Sequence, residues 1–128
     1  MNRILIAEDD VFVSRMYGRV FRAAGFEVET VPDGEVALAR LAQDPLPSII
    51  LMDIMMPKMG GFELLERIKK DPRLTRLPVV VLTNSFVADD EKRFLGLGAD
   101  LYLIKIENSA KDVVRKIENL IHRKNANN

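Results

Sequence analysis

The chain of 128 residues contains no cysteine and no tryptophan. Without cysteine it can form neither disulfides nor thiolate metal sites. No apolar run approaches the roughly 20 residues that a membrane-spanning helix needs. Lysine plus arginine balances aspartate plus glutamate at 19 each, so no net charge draws the chain to nucleic acid or anionic lipid. The first apolar segment meets acidic residues at once, unlike a signal peptide. We therefore expect a cytoplasmic protein without membrane insertion or nucleic-acid binding by this domain.

The composition is that of an ordinary globular domain, with 48% apolar and 30% charged residues. A chain of this length is enough for one domain with its own buried core. We predict one folded domain over residues 1–124 and a polar tail over residues 125–128.

Short apolar runs alternate with segments of helical periodicity along the whole chain. The runs predict five strands, at residues 4–7, 28–31, 48–52, 79–82 and 101–104. Asp10 and Asp33 are predicted N-caps, and Ser109 with Asp112 resembles a capping box. Strands that alternate with helices across short loops indicate an α/β fold, in which helices cover both faces of a parallel sheet.

Acidic residues stand at the ends of two of these strands. Glu8 and Asp9 follow the first strand, and Asp53 follows the third. If the two strands are parallel neighbours, the three carboxylates meet at one rim of the sheet. Two unit charges about 4 Å apart repel by about 4 kcal/mol at an effective dielectric of about 20. Either one carboxylate keeps a proton or a cation lies among them, and hard oxygen ligands suit Mg²⁺.

A hydroxyl and an ammonium group are expected at the same rim, because Thr83 ends the fourth strand and Lys105 ends the fifth. Carboxylates, a hydroxyl and a fixed cation together can support phosphoryl transfer onto a carboxylate. The sequence has no cysteine, serine–histidine pair or Walker loop that would favour another chemistry.

Four stretches at these strand ends resemble the receiver domain of two-component response regulators, which includes CheY-like proteins. The stretches are RILIAEDD (3–10), DIMMPKMGG (53–61), VVLTN (80–84) and GADLYLIK (98–105). Their order along the chain makes the resemblance specific. It implies a flavodoxin-like fold, a five-stranded parallel sheet of order 2-1-3-4-5 flanked by five helices.

The resemblance also implies roles for the acidic residues. Asp53 is similar to the aspartate that accepts a phosphoryl group from a sensor histidine kinase or a histidine phosphotransfer protein. Glu8 and Asp9 resemble the metal-binding pair, which with Asp53 and the backbone carbonyl of Met55 would hold Mg²⁺ or Mn²⁺. Asp10 is assigned to helix capping instead.

Three further residues would complete the phosphate site and its switch. Thr83 resembles the switch hydroxyl, Lys105 the phosphate-stabilising ammonium, and Tyr102 the aromatic side chain whose rotamer follows the switch. Phosphorylation would change the surface formed by the fourth helix, fifth strand and fifth helix, and so signal to an unknown downstream target. The chain would then be no turnover enzyme on external substrates, although it would catalyse its own phosphorylation and dephosphorylation. A homodimer that depends on phosphorylation is compatible with this resemblance. Phe94, Leu101 and Leu103 are predicted to be exposed apolar residues, available for packing, for dimerisation or for contact with a partner.

Ile106 departs from the family pattern, which has a cis-proline after the lysine. A cis bond before a non-proline residue costs about 3 kcal/mol. The peptide is therefore either trans, with Lys105 placed differently, or cis and strained.

Three other functions remain open from the residues alone. They are a phosphatase of the haloacid dehalogenase type, a flavin carrier with a flavodoxin-like fold, and a receiver-like module that takes no phosphate. Adjacent acids on the first strand, rather than an Asp-x-Asp pattern, argue against the phosphatase. Three acids at the site would repel the phosphate of FMN.

Overall fold

The computed structural model describes residues 2–126. Strands and helices alternate along the chain, and the last loop contains a short 3-10 turn at Lys105–Glu107. The elements are β1 (Arg3–Ala7), α1 (Val11–Ala23), β2 (Glu27–Val31), α2 (Gly34–Leu41), β3 (Ile49–Met52), α3 (Gly61–Lys70), β4 (Val79–Thr83), α4 (Ala88–Leu97), β5 (Leu101–Ile104) and α5 (Ala110–Ala126).

The strands form one parallel sheet in the order β2-β1-β3-β4-β5. This confirms the predicted α/β fold and strand order. Every residue of β3 is buried, as expected for a central strand covered on both faces. In β2, at the edge of the sheet, only Val31 is buried.

Alternate side chains of each strand enter two separate cores, since successive residues of a strand point to opposite faces. Leu5 and Ile50 belong to the core covered by α2, α3 and α4. Ile4 and Ile49 belong to the core covered by α1 and α5. The helices therefore cover both faces of the sheet, and residues at the ends of the strands meet in the loops at its two ends.

The three predicted helix caps are confirmed. Asp10 Oδ1 accepts hydrogen bonds from the backbone N–H groups of Phe12 and Val13, at 2.9 and 3.2 Å. Asp33 caps α2 by accepting from Val36 N at 2.9 Å. Ser109 and Asp112 bond reciprocally before α5, at 3.0 and 3.1 Å. The carboxylate of Asp10 therefore caps α1, as predicted.

Two expectations need adjustment. Phe94 was expected among exposed apolar residues, but it is only 1% exposed and its ring packs edge-on against that of Phe62. Leu103 is also buried. At the C-terminus, α5 includes Asn125 and Ala126, so this part of the predicted polar tail is helical; residues 127–128 lie outside the described residues. Within residues 2–126, no helix combines the length and apolar character needed to span a membrane.

Candidate functional site

The pairing of β1 with β3 brings two of the predicted acids to the same rim of the sheet. Ala7 and Met52, the last residues of these strands, are partners in the parallel register. The N–H of Asp53 then donates to the carbonyl of Ala7 at 3.1 Å. One carboxylate oxygen from each of Glu8, Asp9 and Asp53 lies within 4.8 Å of the other two. The predicted acidic cluster is therefore formed in the structure.

The three carboxylates differ in burial and in their backbone contacts. Glu8 is 7% exposed, Asp53 is half-buried and Asp9 is exposed. Glu8 Oε2 accepts from the N–H of Asp10 at 3.2 Å, and Asp53 Oδ1 accepts from the N–H of Ile54 at 2.6 Å. One oxygen of Glu8 and one of Asp53 are thus held by the backbone, and the other oxygen of each accepts from the Lys105 ammonium.

Lys105 supplies the counter-charge for both Glu8 and Asp53. Its ammonium lies 2.7 Å from Glu8 Oε1 and 3.0 Å from Asp53 Oδ2. The cis peptide bond found in residues 2–126 is Asp44–Pro45, so Lys105–Ile106 is trans. Of the two arrangements left open by the sequence, the loop is the trans one, yet the lysine still reaches the cluster.

Burial and ion pairing act against each other in this cluster. Burial raises the pKa of Glu8, and nearby Asp53 raises it further, while the hydrogen bonds from Lys105 and Asp10 oppose the rise. For Lys105, burial disfavours the charged form, but the hydrogen bonds to Glu8 and Asp53 outweigh it and raise the pKa of the ammonium. Lys105 therefore stays charged at neutral pH and offsets part of the repulsion between the carboxylates.

The donor set fits a divalent cation. Three carboxylates can each direct an oxygen to one point, and hard oxygen ligands are those that Mg²⁺ and Mn²⁺ prefer. Met55 lies two residues beyond Asp53 in the loop after β3 and is 75% exposed.

Gly61, at the start of α3, holds this loop against the site and was missed as a site residue by sequence reasoning. Its N–H donates to the carbonyl of Ile54 at 2.9 Å. A Cβ added at Gly61 would lie 2.4 Å from the carbonyl oxygen of Asp53. Only glycine permits this close approach; the Gly60-Gly61 pair was the available signal in the sequence.

Thr83 ends β4 at the same rim and is 3% exposed. Its hydroxyl oxygen accepts from the N–H of Ser85 at 3.3 Å, and the hydroxyl of Ser85 donates to Asp90 Oδ2 at 2.8 Å. Thr83 makes no hydrogen bond to Asp53 among the described residues. These contacts connect the predicted switch residue to the start of α4.

Tyr102 lies on β5 with its hydroxyl buried and without a hydrogen-bond partner in the described part of the chain. Its ring centroid is 6.0 Å from that of Phe94. Burial raises the pKa of the Tyr102 hydroxyl. The neighbouring Ser85 side chain lowers this pKa in part, but its hydroxyl donates to Asp90 and makes no hydrogen bond of normal geometry with Tyr102. The predicted switch aromatic is therefore turned inward in this structure.

Comparison with known proteins agrees with this geometry. The profile of the response regulator receiver domain matches residues 4–118. The gliding motility regulatory protein of Myxococcus xanthus is 35% identical over 92% of this chain, and response regulator Rcp1 of Synechocystis is 36% identical over 91%. The chain spans 15% of the length of the Myxococcus protein and 45% of the phosphate regulon regulator PhoB of Rhizobium meliloti, but 84% of Rcp1.

Solved structures show the same fold. The CheY-like receiver domain protein of Methanospirillum hungatei superposes with a TM-score of 0.90 at 26% identity, covering 100% of this chain and 99% of that one. The Mn²⁺-bound form of Rcp1 superposes with a TM-score of 0.81 at 35% identity, covering 94% and 91%. The profile match over most of the sequence places this chain in the family of response regulator receiver domains.

Proposed function

We propose that Asp53 accepts a phosphoryl group from the phosphohistidine of a sensor histidine kinase or a histidine phosphotransfer protein. The observation that carries this proposal is the Lys105 ammonium, which bridges the half-buried Asp53 and the buried Glu8 at the sheet rim. A carboxylate held beside a fixed cation is suited to receive an anionic group. Receiver domains belong to a family of signalling proteins and not of substrate-turnover enzymes, which sets the phosphatase interpretation aside.

The transfer forms one bond and breaks another. A carboxylate oxygen of Asp53 attacks phosphorus, the phosphorus–nitrogen bond of the donor breaks, and the donor imidazole leaves with the bonding electrons. Asp53 Oδ1 is held by the N–H of Ile54, and Oδ2 is held by Lys105. The Lys105 ammonium can then pass from Oδ2 to a phosphoryl oxygen, where its charge stabilises the added negative charge.

A divalent cation would be held by Glu8, Asp9, Asp53 and the backbone carbonyl of Met55. When bound, Mg²⁺ or Mn²⁺ would neutralise the acidic cluster and bind phosphoryl oxygens. The convergence of three carboxylates supports this assignment, as does the Mn²⁺-bound form of Rcp1.

Thr83 and Tyr102 would couple phosphorylation of Asp53 to a change at the surface of the protein. The Thr83 hydroxyl donates to the new phosphoryl group, which requires it to turn from its present position beside Ser85. Tyr102 shares the core beneath α4 with Phe94, so its rotamer can change the surface formed by α4, β5 and α5. A downstream target, or a second copy of the chain, binds the changed surface more tightly, as a population shift requires. The proposed signalling unit is residues 1–124.

Incubation with phosphoramidate or acetyl phosphate in the presence of Mg²⁺ tests the proposal. Intact mass spectrometry should show the gain of one phosphoryl group by the wild type and none by Asp53→Asn. Asp89→Asn, an exposed position on α4, should gain phosphate as the wild type does. The proposal fails if Asp53→Asn is phosphorylated normally, or if the wild type gains nothing from either small donor or from a phosphorylated histidine phosphotransfer protein.

A further inference from the structure

We propose that Asn108 is a positioning residue that fixes the direction in which Lys105 leaves the end of β5, and that Lys116 orients Asn108. The inference rests on the proposed function for the role of Lys105, but the geometry that it explains is independent of any phosphoryl transfer. It concerns the five-residue connection between β5 and α5, residues 105–109, in which Ile106 follows the lysine.

Asn108 binds the backbone on both sides of Lys105. Its side-chain N–H donates to the carbonyl of Ile104 at 3.0 Å. Its own backbone N–H donates to the carbonyl of Lys105 at 3.3 Å. The two carbonyls belong to the peptide groups that flank the Cα of Lys105. Holding both fixes the orientation of that Cα and hence the direction of the lysine side chain.

The connection has few other means to fix Lys105. Ile106 is 71% exposed and Glu107 is also exposed, so neither packs into a core. The turn itself is a 3-10 turn of three residues with no buried member. A short 3-10 turn has weak hydrogen-bond geometry and is easily deformed. The two bonds from Asn108 therefore carry much of the local order.

Lys116 of α5 determines which way the amide of Asn108 faces. Its ammonium, which can only donate, binds Oδ1 of Asn108. The carbonyl of Ile104, which can only accept, must then receive the amide N–H. The position thus requires a side chain that accepts on one side and donates on the other. Asparagine does both. An ionised aspartate has the same shape but cannot donate.

Accurate placement of Lys105 matters because its ammonium meets two acceptors at once, at 2.7 and 3.0 Å. A small rotation at its Cα is magnified at the end of a four-carbon side chain. Misplacement of a catalytic group by about 1 Å can cost about a hundredfold in rate. Loss of one hydrogen bond to the loop is a smaller perturbation, worth roughly a three- to tenfold effect.

Asn108→Asp removes the hydrogen bond that the side chain donates to Ile104 and keeps the one that it accepts from Lys116. The variant keeps an oxygen for Lys116 but presents an acceptor to the carbonyl of Ile104. We expect its rate of phosphorylation by phosphoramidate to fall roughly three- to tenfold. Asn119→Asp introduces the same charge at an exposed position on α5 and should retain the wild-type rate. Lys116→Met should slow phosphorylation. Lys116→Arg keeps a hydrogen-bond donor for Asn108 and should react at close to the wild-type rate.

A double-mutant cycle distinguishes positioning from a general loss of stability. If Asn108 acts through Lys105, Asn108→Asp should cause no further slowing in a Lys105→Met background. Urea unfolding of each variant reports whether it is folded under the assay conditions. Equal slowing by Asn108→Asp in both backgrounds would overturn the proposal. If Asn108→Asp does not fold, the same cycle with Lys116→Met decides the question.

A second measurement needs no phosphoryl transfer and separates this inference from the proposed function. Limited reductive methylation, read by peptide mass spectrometry, reports how accessible each lysine amine is. In the wild type, Lys105 should react more slowly than exposed Lys92, and Asn108→Asp should speed labelling of Lys105 several-fold without changing that of Lys92. If the wild type takes no phosphate but this difference appears, the proposed function fails and the positioning role stands. Unchanged labelling of Lys105 together with an unchanged phosphorylation rate would refute the positioning role.

Discussion

Lys105 at the end of β5 and Glu8 at the end of β1 form an ion pair of 2.7 Å across the ends of two intervening strands, β3 and β4. The same ammonium also lies 3.0 Å from Oδ2 of Asp53, which follows β3. This ammonium offsets the charge of two carboxylates that β1 and β3 force together.

Lys105→Met should therefore destabilise the protein in the absence of divalent cations. The variant leaves Glu8, with a side chain only 6% exposed, beside Asp53 without a counter-charge. We expect the free energy of unfolding, from urea titration, to fall by about 1–3 kcal/mol, between the values typical of exposed and of fully buried ion pairs. Mg²⁺ or Mn²⁺ should restore part of the loss, because a bound cation supplies the missing charge.

Lys92→Met serves as the control for that substitution. Lys92 is exposed on α4 and belongs to none of the ion pairs found in residues 2–126. Its stability should be close to that of the wild type and insensitive to the cation. Equal losses in the two variants would show that the ammonium of Lys105 does not compensate the acids.

Tyr102→Phe should stabilise the unphosphorylated protein. The Tyr102 hydroxyl is buried without a partner, and a buried polar group that makes no hydrogen bond is costly. Removing it should raise the free energy of unfolding by about 1 kcal/mol. Tyr17→Phe, whose hydroxyl is not among the buried groups without a partner, should give no such gain. A loss of stability in Tyr102→Phe would mean that the hydroxyl is bonded in solution.

The fold and the acidic cluster could be predicted because both follow from local patterns. Apolar runs such as 49–52 identify buried strands, and residues just beyond parallel strands must meet at one rim. The helix caps at Asp10 and Asp33 depend only on the next two or three residues. Each of these inferences needs no knowledge of distant side chains.

The remaining features depend on tertiary contacts that no short pattern encodes. The role of Gly61 arises from its distance to the carbonyl of Asp53, and that of Asn108 from Lys116 on another element. Phe94 lies in a short helix rich in charged residues, so its burial follows from packing against Phe62 and Tyr102. The direction of the Tyr102 ring likewise depends on the space beneath α4.

Gly61→Ala should disrupt the phosphoacceptor loop. The added Cβ would lie 2.4 Å from the carbonyl of Asp53 and 3.1 Å from the Cα of Ile54. Both are backbone atoms, so relief requires the loop to move. Overpacking of this kind costs about 1–3 kcal/mol, and phosphorylation of Asp53 by phosphoramidate should slow as the carboxylate shifts.

Gly96→Ala is the matched control for this substitution. Gly96 lies within α4, and an added Cβ there meets nothing within 4 Å. Alanine in a helix is more favourable than glycine, so stability should rise by roughly 0.5–1 kcal/mol. The same chemical change should thus act in opposite directions at the two sites. A stabilising effect at Gly61 would contradict the close approach seen in the structure.

Glu29 on edge strand β2 should make stability depend on pH. Hydrogen bonds from the Arg40 side chain, one of them 3.0 Å long, hold the pKa of Glu29 below its usual 4.5. Because the folded-state pKa is lower than the unfolded one, the stabilisation is complete above about pH 4.5 and is lost as the pH falls through the lower value. The pair is partly exposed, so we expect Glu29→Gln to lose only about 0.5–1 kcal/mol at neutral pH.

Urea unfolding of Glu29→Gln and the wild type near neutral pH, at about pH 5.5 and at about pH 3.5 measures this dependence. The difference in free energy should be constant between the first two conditions and smaller at the third, since protonation removes the charge of Glu29 in the wild type. Glu118→Gln, at an exposed position outside the ion pairs found in residues 2–126, corrects for the loss of one surface charge. A difference that grows on acidification would reverse the sign of the linkage. It would mean that folding raises the pKa of Glu29, so that Arg40 does not stabilise the ionised carboxylate.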